Sequence, residues 1–116
     1  MGGLVAVGRA GAWTITLEET DRDGLCVWLR SPVVYLQLNV DVTALRALSE
    51  FLGSPGSAGR WCEVEGCLGG VLVFQFHDGW LFVRLRALAD QMFEVRLEGA
   101  EGDLIARALE EALAGA

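Results

Sequence analysis

The chain has no lysine, a single histidine and two prolines, and no apolar run approaches the ~18 residues a membrane helix needs. Each shortage excludes something. Without lysine, Gly66-Cys-Leu-Gly-Gly70 lacks the Lys-Ser/Thr that completes a phosphate-binding loop. With His77 alone there is no histidine pair for a metal and one conventional general base, and it adjoins a turn, where an exposed structural histidine is expected. Ser31, Ser49, Ser54 and Ser57 fall in turns, a helix or a linker, none in a Gly-x-Ser-x-Gly elbow, so nucleophilic hydrolysis has no support. Cysteine is scarce and odd in number: Cys26, Cys62 and Cys67 read as reduced thiols. Cys62 and Cys67 have four residues between them where a zinc knuckle more often has two, and Cys26 lies in a distant strand, so no metal and no cofactor are expected. The acidic stretches Glu18 to Asp23 and Glu98 to Asp103 lack the alternation of a calcium loop and read as solvated turns. The N-terminus has no basic segment ahead of a sustained apolar stretch, which predicts a cytoplasmic protein with no membrane association.

What the chain does have is apolar residues, 53% of the total, and a net charge of -7 over 116 residues. That length predicts a single domain. The chain also repeats itself. Residues 4–53 run through short strands into an amphipathic helix, Gly53 to Gly59 form a linker of turn-forming residues, and residues 60–114 run through strands into a helix again. Trp13, Ile15 and Leu17 alternate with polar residues, as do Leu25, Val27 and Leu29, and Val33 to Val40 reads as the longest strand of the first half. Leu4 to Val7 is a weak leading strand. Asp41 is placed to cap a helix carrying Leu45, Leu48 and Leu52, and Asp103 to cap one carrying Leu104, Ile105, Ala108, Leu109 and Ala112. The predicted fold is α+β: pseudo-duplicated ββββα units whose antiparallel sheets pack against two helices around a shared core.

The clearest local signal is Val71 to Arg86, a hairpin about Asp78-Gly79. Its register puts Leu72, Phe74, Phe76, Leu81, Val83 and Leu85 on the core face and Trp80, Phe82, Arg84 and Arg86 on the other. Trp28 and Arg30 hold the matching place in the first repeat. Trp and Arg dominate binding hot spots and stack on bases or peptides, so these six residues are the candidate binding site. The competing expectation, favoured in a chain this apolar, is that a helix or the other sheet covers this face while the arginines reach out at its edge.

A duplicated four-strand-plus-helix unit resembles the Whirly family of single-stranded DNA binders and the dimer of the related transcriptional coactivator family. That resemblance implies nucleic-acid binding, but the Lys-rich strand segment of Whirly proteins has no counterpart here, and the negative charge opposes phosphate. The order of a Leu36-Gln-Leu strand, a Leu45-Arg-Ala-Leu helix, a Gly-rich linker, a Trp and a second hairpin-helix unit is also similar to small uncharacterised actinobacterial proteins and immunity-protein-like families. This second resemblance implies a non-enzymatic acidic protein that neutralises a protein partner, such as a basic nuclease, through shape and charge. The expectation is therefore an immunity or inhibitor-type binding protein, the alternatives being a single-stranded nucleic-acid binder and a homodimeric scaffold that uses a strand edge.

Overall fold

Period-two patterning is realised as eight strands in the computed structural model, which describes residues 3–19, 24–54, 60–65, 71–86 and 92–115. Strands β1 (Gly3–Ala10), β2 (Trp13–Glu19), β3 (Leu25–Arg30) and β4 (Tyr35–Val40) form an antiparallel meander, and helix α1 (Val42–Leu52) follows. Strands β5 (Trp61–Glu65), β6 (Val71–His77), β7 (Trp80–Arg86) and β8 (Met92–Glu98) repeat the arrangement, and α2 (Gly99–Ala114) closes it. The α+β duplication expected from the sequence is thus present. The linker residues 55–59 lie outside the described residues.

The repeats are joined by their helices. Helix α2 of the second repeat lies along β1 and β2 of the first, α1 of the first reaches β5 of the second, and the two helices touch. Buried residues of both sheets and both helices form one cluster, with Ile15, Leu17, Leu29, Leu45, Leu48, Phe74, Leu81, Ile105 and Leu109 almost fully enclosed. The Cα radius of gyration, 13.3 Å, is that of one compact domain. Small residues set the closest approach. The inward positions of β1 are Ala6, Gly8 and Ala10, opposite Leu17, Ile15 and Trp13, and α2 brings Ala108 and Ala112 against them. A Cβ on Gly8 would lie 1.9 Å from the Ala108 carbonyl oxygen and 2.7 Å from the Ala112 nitrogen. Polar contacts cross the same boundary: Trp13 Nε1 donates to Glu101 Oε2, and the buried Ser49 hydroxyl donates to the Ala106 carbonyl at 3.4 Å. Phe51 of α1 stacks on Phe76 of β6, ring centroids 5.6 Å apart.

Three expectations are corrected. β4 begins at Tyr35 rather than Val33, because the Ser31 hydroxyl accepts from the Val34 N–H at 3.1 Å while Ser31 N–H donates to the Val34 carbonyl at 2.8 Å, which ties residues 31–34 into a turn. Asp103 does not cap α2. The helix starts at Gly99 after Glu98, with no side-chain cap, so Asp103 lies inside it and pairs with Arg107 at 2.9 Å. For the same reason most of the acidic stretch Glu98 to Asp103 is the first turns of a helix instead of a solvated turn. Asp41 does cap α1, its carboxylate accepting from Ala44 N–H at 2.7 Å. The two aspartates should therefore differ on substitution: Asp41→Ala is expected to cost about 1 kcal/mol and Asp103→Ala about 0.3–0.5 kcal/mol, read from urea unfolding midpoints at constant m-value.

Candidate recognition faces

The Asp78-Gly79 turn fixes the second sheet. Asp78 (φ 50°) and Gly79 (φ 81°) both adopt positive φ, the type I′ geometry that matches strand twist, and His77 pairs with Trp80 as the sequence predicts. All later register follows from that pair. Inward, Leu72, Phe74, Leu81 and Val83 are buried, with Phe76 and Leu85 packed beside them. Outward, one cross-strand row reads Trp61, Gln75, Phe82, Arg96 and the next Glu63, Val73, Arg84, Glu94. Trp61 is 61% exposed and Trp80 38%. The face expected to be covered is thus open at both tryptophans, while the inward side chains meet the helices.

The arginines on this face are held by aromatic rings and carboxylates. The Arg96 guanidinium lies 4.8 Å from the Trp80 ring centroid and that of Arg84 lies 5.8 Å from Phe82. Arg84 Nε donates to Glu94 Oε2 at 3.0 Å and Nη1 to Gln75 Oε1 at 3.4 Å. Each cation–π contact at such exposure contributes about 0.5–1 kcal/mol, a bias toward this placement of the side chain. Arg86 pairs with Val71 in the backbone ladder, and its side chain lies outside the described residues. Glu63, Glu65, Glu94 and Glu98 occupy outward positions among and around these groups, so the face has no positive surplus.

Trp28 and Arg30 lie elsewhere. They are on β3, and the first sheet shares no ladder with the second among the described residues. Trp28 meets Tyr35 edge-on, centroids 5.7 Å apart at 71°, and Arg30 is exposed in register with Tyr35. The Trp28 Nε1 is shielded from solvent and has no acceptor among the described residues, a deficit of about 1–3 kcal/mol for a neutral donor. The structure therefore brings Trp80, Phe82 and Arg84 together and keeps Trp28 and Arg30 apart from them. Reading single strands missed Trp61, Arg96 and Tyr35. Pairing Val64 with Leu72 and Val95 with Val83 would have turned Trp61 and Arg96 outward beside Phe82.

The single histidine borders a groove. This groove of about 430 Å³ between the hairpin turn, the end of α1 and the start of α2 is lined by residues that include Ser54, His77, Asp78, Trp80 and Asp103. His77 Nε2 lies 3.1 Å from Asp78 Oδ2, but both side chains are mostly exposed, and no hydrogen bond joins His77 to Ser54 among the described residues. Cys26 is buried, its sulfur accepting from Gln37 Nε2 at 3.3 Å. Burial, and then the charge of Glu63, push the Cys62 thiol above its usual range, away from the nucleophilic thiolate. No three His, Cys, Asp or Glu converge as metal ligands among the described residues, which exclude Cys67. Among the same residues no helix is long and apolar enough to cross a membrane.

By fold the protein is a duplicated ββββα domain of the α+β class, with an aromatic and arginine face on its second sheet. Comparison with protein-family models, with curated proteins and with solved structures finds no significant match.

Proposed function

We propose that this chain is a non-enzymatic binding protein of the immunity or inhibitor type, docking a protein partner on the outer face of its second sheet. The observation that carries this reading is the cluster Trp61, Trp80, Phe82, Arg84 and Arg96, the residue types that supply hot spots, with Trp61, Trp80 and Arg96 exposed and both arginines lying against aromatic rings. Carboxylates around it and the net charge of -7 favour a basic partner. The same carboxylates disfavour a nucleic acid: the Arg84 charge already faces Glu94, and strand binding draws affinity from arginines free to replace counterions.

The test begins with a partner co-purified from the native host and identified. Trp80→Ala and Trp61→Ala are each expected to weaken the purified complex about 30-fold, roughly 2 kcal/mol, with circular dichroism unchanged and, for Trp80→Ala, melting lowered by only a few degrees as the contact with Arg96 is lost. Thr14→Ala, on the outer face of the first sheet, should leave affinity alone. An affinity indifferent to both tryptophans would contradict the reading. So would micromolar binding of a fluorescent oligothymidylate at low ionic strength that weakens steeply with salt.

A further inference from the structure

Two open sheets leave four edge strands, and three of them are protected against pairing. Unpaired edge N–H and C=O groups recruit further strands unless a bulge, a charge or a covering element prevents it. β1 has a register shift between Leu4 and Ala6, and its Arg9 N–H is taken by Glu111 Oε2 of α2 at 3.3 Å. β5 is short and turns Glu63 and Glu65 outward. β8 turns out Glu94, Arg96 and Glu98. Among the described residues β4 has none of these devices. Its ladder to β3 runs unbroken from Arg30–Tyr35 to Leu25–Val40, and β3 is its only strand partner among the described residues. It contains no charge, glycine or proline, and its outward residues are Tyr35, Gln37 and Asn39. Five large apolar side chains are exposed among the described residues, and three of them, Val33, Tyr35 and Val42, are in β4 or at its ends.

We propose that β4 is a self-association edge, pairing antiparallel with β4 of a second copy about a twofold axis through Gln37. The occupant is a second copy because the strand complements itself. In this register Tyr35 faces Asn39 of the other copy, Leu36 faces its Leu38, and Gln37 faces its own equivalent, so no like charges oppose each other. Val33 then falls opposite Asp41 of the other copy, the residue before its exposed Val42. The same operation on β5, centred on Val64, would set Glu63 against Glu65. The product is a continuous eight-stranded sheet whose outer face carries Trp28, Arg30 and Tyr35 of both copies near the axis. The second sheet's Trp61 and Trp80 take no part, so this association is independent of the partner-binding face.

The full-length chain is measured by sedimentation equilibrium, and Gln37 is the position to change because its side chain is exposed. The wild type is expected to reach a dimer mass at micromolar concentrations. Gln37→Lys and Gln37→Glu, which each place like charges face to face at the axis, should weaken the dimer about tenfold or more. An equimolar mixture of the two variants should recover a dimer, because the charges then oppose. That recovery requires the two residues 37 to lie close together across the axis. A wild type that stays monomeric at every concentration reached, a dimer unmoved by either variant, or a mixture no tighter than its components would overturn the proposal.

Discussion

Gly8→Ala is expected to destabilise the protein by about 3 kcal/mol or more, a large fraction of the roughly 5–15 kcal/mol that holds a domain together. The reason is backbone against backbone. The new methyl would lie 1.9 Å from the Ala108 carbonyl oxygen, where no side chain can rotate away, so α2 must lift from β1. Lifting α2 exposes Ile105, Ala108, Leu109 and Ala112, all fully or almost fully buried. A melting temperature lower by about 12 °C or more is the corresponding thermal result. Gly79→Ala is the contrast: φ is +81° there, but the added methyl meets nothing within 4 Å, so only backbone strain of about 1 kcal/mol is expected. The order of the two variants separates close packing from turn chemistry.

Trp13→Ala should cost about 3–5 kcal/mol. Trp13 is 1% exposed and is the largest side chain in the core, so its removal leaves a cavity between the first sheet and α2. Its indole N–H also donates to Glu101, in the first turn of the other repeat's helix, so truncation breaks a polar link across 88 residues of sequence. Glu101→Ala removes the acceptor and leaves the buried donor, a loss of about 1–3 kcal/mol. Measured by urea unfolding, the double variant should be less destabilised than the sum of the singles, because the shared hydrogen bond is lost only once. Additivity would mean that the contact adds nothing to stability.

These two positions also mark how far the sequence could be read. Strict alternation located Trp13, Ile15 and Leu17, and the Asp78-Gly79 turn located the core and outward faces of β6 and β7. Such local periodicities survive folding because each face is wholly inside or outside. β1 read as weak for a physical reason: its inward residues are Ala6, Gly8 and Ala10, too small to register as a hydrophobic stripe, and their smallness is what admits α2. A small-residue strand and an alanine-rich helix at opposite ends of a chain fit each other, but neither names the other locally. Asp103 misled because a capping residue type within a helix can equally form an i,i+4 pair. The candidate site was legible only in part. Trp80, Phe82 and Arg84 came from one hairpin, whereas Trp61 and Arg96 needed the ladders to β5 and β8, and Trp28 and Arg30 belong to a separate sheet.

The repeats are equivalent in topology and unequal in surface. Among the described residues only the second joins a tight hairpin to stacked arginines and exposed tryptophans, while the first offers an uncharged edge at β4. One core supports both because each helix crosses to the other repeat. Native-state hydrogen exchange measures that claim directly. The slowest amides of β3 and of β6 should open with the same free energy in the wild type, and Gly8→Ala, a change confined to β1, should lower both equally. If β3 loses protection while β6 keeps its wild-type value, the repeats hold separate cores and the account is wrong.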